Sequence, residues 1–214
     1  MEKEEIVKNI FLLRFDDREE QAKIFLRFQE HYESPEFRGK VFTLEEYKDW
    51  YTKLKGKFSY YTDWIGFNFP SYVFSAFKEG KFDPLSEKEK ELLKLFENIT
   101  DPFYVISIWN DKSDKSKNKI GHTLRHEIAH GFFYTKPDYR KRVQEILSRY
   151  DLSQLKEWLR GRGGYHEDVL EDECHAYALT GSSKLAVEIP DKLKEEIQAL
   201  FEEAMTGYNQ GITI

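Results

Sequence analysis

One cysteine, Cys174, is present in 214 residues, so no intrachain disulfide can form. A disulfide-stapled scaffold is excluded, and a reducing compartment is the natural expectation. No stretch approaches the roughly 18 consecutive apolar residues that a membrane-spanning helix needs. The opening, Met1-Glu2-Lys3-Glu4-Glu5, lacks the basic-then-apolar order of a secretory leader. A cytoplasmic location with no membrane association is therefore expected. Positive charge is also scarce: 33 Lys and Arg stand against 39 Asp and Glu, for a net charge of -6. That balance argues against broad binding to nucleic acid or anionic lipid. The two basic stretches, Lys112 to Lys119 and Arg140 to Arg142, look like a solvated loop and a helix face rather than a phosphate groove.

What is abundant is aromatic: 17 Phe, 13 Tyr and 4 Trp, alongside a charged fraction of 34%. Such a chain can bury a large core under a charged surface. Its length suits one domain or one domain with a helical appendage. An N-terminal α/β part is expected over 1–100, in the same domain as or closely packed on a helical part over 101–214.

The pattern of elements implies an α+β fold, mainly helical with a small mixed sheet. Ile6 to Phe15 favours a strand, at least from Ile10. Asp17 can cap a helix from Arg18 to about Tyr32, with Ile24, Phe25, Phe28 and Tyr32 inward. Thr43-Leu44-Glu45-Glu46 and Ser86-Glu87-Lys88-Glu89 are capping-box patterns that open two more helices. Lys57 to Tyr61 reads as a strand. Trp64 to Pro70 reads as a packed loop over the core, with substrate lining as the alternative. Phe103 to Trp109 is the clearest strand and, delivered just before the next helix, could present an unpaired edge to an extended peptide. Helices are expected over Asp138 to Tyr150, Ser153 to Arg160, His166 to Leu179 and from Pro190 to about Thr206. The Gly161 to Gly164 segment is expected to link two of them.

The chemistry concentrates in Gly121 to Phe133, which contains His126-Glu127-Ile128-Ala129-His130. On a helix, His126 and His130 lie one above the other and can reach one ion. Glu127, offset by one position, can reach a water beside that ion without being a ligand, as metal-assisted hydrolysis requires. Leu124, Ile128 and Phe132 form the opposite, buried stripe.

A third ligand is expected in Val169 to Tyr177, which offers Glu171, Asp172, Glu173 and His175. Helical neighbours of Glu173 are Val169, Leu170, Ala176 and Tyr177, so this carboxylate sits amid an apolar face where a cation would relieve its burial. Glu171 looks solvated; it, Asp172 and His175 remain alternatives. Two histidines and one carboxylate leave a tetrahedral position open, which suits a single catalytic Zn2+. His166, Tyr134, Tyr165 and Tyr177 are candidates to stabilise a transition state. The residues after Thr206 could enter the cleft and occlude it.

Thr123 to His130, followed by Glu173-Cys174-His175-Ala176, resembles the gluzincin clan of zinc metallopeptidases, which pair His-Glu-x-x-His with a downstream Glu, often as Glu-x-x-Ala. The resemblance covers these two helices and the strand before them, about a quarter of the chain. It implies a zincin-like fold with the active helix following an edge strand, His126, His130 and Glu173 as zinc ligands, and Glu127 as general base. The implied substrate is a peptide or protein. Many members carry an acidic residue or Asn after the Ala. Here that position is Tyr177, which leaves the partner of a ligand histidine unassigned. The rival expectation is a regulatory or scaffold protein that binds zinc without catalysis.

Overall fold

The computed structural model describes residues 2–110, 117–182, 185–206 and 208. The chain opens with β1 (Lys3–Val7) and β2 (Ile10–Phe15), an antiparallel hairpin in which Val7 faces Ile10. Its turn needs a left-handed residue, supplied by Asn9 at φ 64. The apolar run from Ile6 is thus two strands rather than one. Asp17 then caps α1 (Arg18–Glu33), accepting hydrogen bonds from the N–H groups of Glu19 and Glu20. Both capping boxes form, opening α2 (Leu44–Lys55) and α4 (Glu87–Leu95), with α3 (Phe74–Lys78) between them.

β3 (Gly66–Pro70) and β4 (Tyr104–Trp109) complete a mixed sheet in the order β1-β2-β4-β3. β4 runs parallel to β2 and antiparallel to β3, so it lies in the interior of the sheet. The expectation that this strand presents an edge is therefore wrong. The edges are β1 and β3, the latter in the segment read as a packed loop. Gly66 and Pro70 look like turn formers, but their tertiary pairing with Ile108 and Tyr104 decides the conformation. The strand expected over Lys57 to Tyr61 is also absent; a single 3-10 turn occupies Tyr60–Thr62.

Strand alternation sends side chains to two cores on opposite faces of the sheet. Phe11, Leu13, Phe67, Phe69 and Val105 meet Ile24, Phe25 and Phe28 of α1 on one face. Ile10, Leu12, Tyr104, Ile106 and Ile108 meet Leu124, Ile128 and Phe132 on the other. These last three lie on α5 (Lys117–Thr135), the helix that carries the motif. Gly131 lets α5 approach β2 closely, since a Cβ there would fall 2.7 Å from Cδ1 of Ile10.

Behind α5 come α6 (Pro137–Leu147), α7 (Ser153–Trp158), α8 (Leu170–Thr180) and α9 (Asp191–Met205). The Gly161-containing link forms a π-helical turn over Leu159–Gly163. α8 packs against α5, α6 and α9 and is buried on several sides, including Asp172, Glu173, Cys174 and His175. No helix among the described residues is long and apolar enough to cross a membrane. Most of the tail whose entry into the cleft was expected, Gly207 and 209–214, lies outside the described residues, as does the start of the basic loop, 111–116.

Candidate metal centre

α5 and α8 pack face to face, and that contact brings His126, His130 and Glu173 together, with one ligand atom of each within 4.8 Å of the others. Glu173 Oε2 lies 3.9 Å from His126 Nε2, and Glu173 Oε1 lies 3.6 Å from His130 Nε2. The group can hold a metal ion.

Both imidazoles are anchored through Nδ1, which leaves Nε2 facing the cluster. The Thr180 hydroxyl donates to the carbonyl of Ala176 at 2.9 Å, so its oxygen accepts from His126 Nδ1 at 3.0 Å. His130 Nδ1 faces Asp172 Oδ2 at 2.9 Å. A hydrogen bond at Nδ1 fixes the tautomer whose Nε2 lone pair can bind a metal. Nε2 of His130 and Oε2 of Glu173 are buried and have no hydrogen-bond partner. Buried polar atoms without partners are costly, and a cation placed between them removes that cost. The residues present therefore fit a metal.

Asp172 is the histidine partner that the sequence left unassigned at Tyr177. It also lies 3.5 Å from His175 Nδ1, while His175 Nε2 pairs with the Tyr139 hydroxyl at 2.8 Å. Asp172 and His175, alternatives for the third ligand, thus support the ligands from behind. Glu171 instead accepts from Gln144 at 2.7 Å on the far side of α8.

Burial pushes the Glu173 carboxyl up to about 8. Burial opposes charge on His130, yet Asp172 and Glu173 raise it to about 10. Despite burial, the His130 charge holds Asp172 well below the usual carboxylate range. His126 is kept low by burial and then by His130.

Glu127 is 7% exposed and points into the same small cavity, about 60 Å³, with the three ligand candidates. Burial raises its carboxyl to about 7, opposed by His130 and by a hydrogen bond from the Asn68 side chain. Gln29, Glu30 and Glu33 of α1, Tyr60, Gly66 and Asn68 also line this cavity. Gly66 and Asn68 belong to the segment whose alternative reading was substrate lining; Gln29, Glu30, Glu33 and Tyr60 were not singled out from sequence, although Glu30 follows the buried Leu26 by one helical turn. Burial raises Glu30 to about 7, and the Tyr60 hydroxyl donates to it at 2.6 Å.

The four candidate transition-state residues separate. Tyr165 lines the cavity beside Glu173, and Tyr177 packs edge-on against His126 with ring centroids 5.1 Å apart. Tyr134 faces Ser71 at 3.4 Å, and the His166 ring accepts from the Asp168 N–H at 3.2 Å, a local cap. Neither of these two lines the cavity. Comparison with known proteins gives no match to any family model, curated protein or solved structure, so the function has to be read from this centre.

Proposed function

We propose that the protein is a zinc-dependent peptidase of gluzincin type, with His126, His130 and Glu173 as ligands and Glu127 as general base. The observation that carries this reading is the pair of unpartnered buried atoms, His130 Nε2 and Glu173 Oε2, in the cavity that also holds Glu127. Two imidazoles and one carboxylate suit zinc and leave a position open. When bound, zinc supplies a Lewis acid that polarises a carbonyl and acidifies water. Glu127 takes the proton of the attacking water and returns it to the leaving amine. Of the four candidate donors to the developing oxyanion, Tyr165 is the one that lines the cavity.

β3 offers the edge along which an extended substrate would lie. The outward N–H of Asn68 is met by Oε1 of Gln29 at 2.7 Å, an amide oxygen where a substrate carbonyl would bind. A cavity of about 60 Å³ holds a few waters rather than a peptide. Substrate entry therefore requires the end of α1 to yield. The same closure favours the second reading, a zinc-binding regulatory or scaffold protein without turnover.

One experiment separates the two readings. Protein purified without chelator is analysed for metal and assayed on a broad peptide library. The peptidase reading expects one zinc per chain, lost in His126→Ala, and hydrolysis lost in Glu127→Gln with zinc retained. Zinc with no hydrolysis, and equal stability of Glu127→Gln, supports the scaffold; protein that takes up no metal refutes both.

A further inference from the structure

A polar residue stands in the middle of the most apolar strand edge of the molecule. In Gly66-Phe67-Asn68-Phe69-Pro70, both phenylalanines enter the α1-side core, and alternation turns Asn68 toward α5. Asn68 is 6% exposed. A buried carboxamide is destabilising unless its atoms are paired. Here they are paired at both ends: its Nδ2 donates to Glu127 Oε2, and its Oδ1 accepts from the Tyr104 hydroxyl. Tyr104, on the neighbouring strand β4, is fully buried.

We propose that Asn68 is a positioning residue for Glu127, with Tyr104 fixing the direction of its amide; this rests on Glu127 being the general base. A carboxylate can only accept, and the tyrosine hydroxyl has one proton to give. Tyr104 donating to Oδ1 therefore obliges the NH2 end to face Glu127. The amide ties down one carboxylate oxygen. The other, Oε1, lies beside Gly66, where a Cβ would fall 3.2 Å from it. Glycine at 66 thus leaves room for the free oxygen on the cavity side, and asparagine at 68 stops the carboxylate from rotating. A base held in one rotamer by a rigid strand meets its water without reorganising at the moment of reaction.

The test uses the zinc-loaded chain of 214 residues and a fluorogenic peptide from the library that the wild type cuts. Asn68→Leu keeps the shape and removes the hydrogen bond. It is expected to lower kcat about 10–100-fold, with KM and zinc content unchanged. Tyr104→Phe frees the amide to turn over and is expected to give a smaller loss in kcat, again at constant KM. Wild-type kcat in Asn68→Leu, alongside an inactive Glu127→Gln, overturns this inference and leaves the peptidase reading intact. Wild-type kcat in Glu127→Gln overturns the peptidase reading itself. A second measurement needs no turnover and no Asn68 variant. The side-chain NH2 protons of Asn68, followed by NMR, are expected to exchange with solvent faster in Glu127→Ala than in wild type; equal rates refute the proposed contact.

Discussion

The Nδ1 atom of His130 lies 2.9 Å from Oδ2 of Asp172, whose neighbour in sequence, Glu173, faces the other nitrogen of the same ring. Two consecutive acidic residues of α8 thus hold one imidazole from opposite ends. Asp172 orients the ring and Glu173 faces the nitrogen left for an ion, an arrangement that only a helix buried on several sides can provide.

Removing the orienting carboxylate should weaken metal binding without deleting a ligand. Asp172→Asn is expected to lower zinc affinity about 10–100-fold, and His130→Ala to abolish stoichiometric binding. Competition with a chromogenic chelator measures both. Wild-type affinity in Asp172→Asn would show that the Asp172 contact contributes nothing to the site.

On the zinc reading chelation should lower stability, because an ion held by side chains that meet only in the fold binds the folded chain in preference to the unfolded one. At a free zinc concentration 100 times Kd the gain is about 2.7 kcal/mol. Thermal melts with and without zinc should differ for wild type and for Glu127→Gln, and should coincide for His126→Ala.

Glu30 makes stability depend on pH. Its folded pKa of about 7 lies above the ordinary 4.5 because burial disfavours the anion, even though Tyr60 donates to it. Between those values the folded chain keeps a proton that the unfolded chain has lost. Its contribution to stability is therefore complete below pH 4.5, falls as pH rises toward 7, and stays low above it, a change of about 3 kcal/mol. Glu30→Gln has no such proton to lose, and its amide oxygen can still accept from Tyr60. Urea titrations should find the variant more stable than wild type at pH 8 and close to it at pH 5; parallel pH profiles would count against this account.

Arg27 and Glu89 form a two-pronged ion pair between α1 and α4 at 2.7 and 2.6 Å, with the guanidinium also donating to the carbonyl of Phe82 at 2.9 Å. The Glu89 side chain is only 4% exposed. Arg27→Ala leaves that carboxylate buried without its cation and should cost about 3 kcal/mol in equilibrium unfolding. The double variant Arg27→Ala, Glu89→Gln should recover part of the loss.

Gly131→Ala should destabilise the fold although alanine is the better helix former. A Cβ at 131 meets three atoms of the fully buried Ile10, at 2.7, 3.1 and 3.1 Å. Overpacking of about 1–3 kcal/mol outweighs a propensity gain of up to about 1 kcal/mol. Ile10→Val in the same chain should relieve part of the strain, read as a rise in Tm.

Local chemistry made several features legible in the sequence. Asp17, Thr43 and Ser86 satisfy nearby N–H groups, so those helix starts depend on adjacent residues alone. The spacing of His126 and His130 on one helical face, and the apolar surroundings of Glu173, are likewise properties of 3.6-residue periodicity. The order of the sheet was not legible, because the pairing of β4 between β2 and β3 is a contact between residues far apart in the chain. For the same reason an aromatic segment containing Gly66 and Pro70 looked like a loop until β4 gave its backbone groups partners. The role of Asp172 depends on α8 being buried on more than one side, which periodicity along a single helix does not reveal. The sequence by itself determined the donor atoms for an ion and the helices that carry them. The tertiary structure decided what surrounds those atoms, by packing α8 on α5 and bringing α1 and β3 to the cavity, because burial and hydrogen-bond direction are set by elements that meet only when the chain folds.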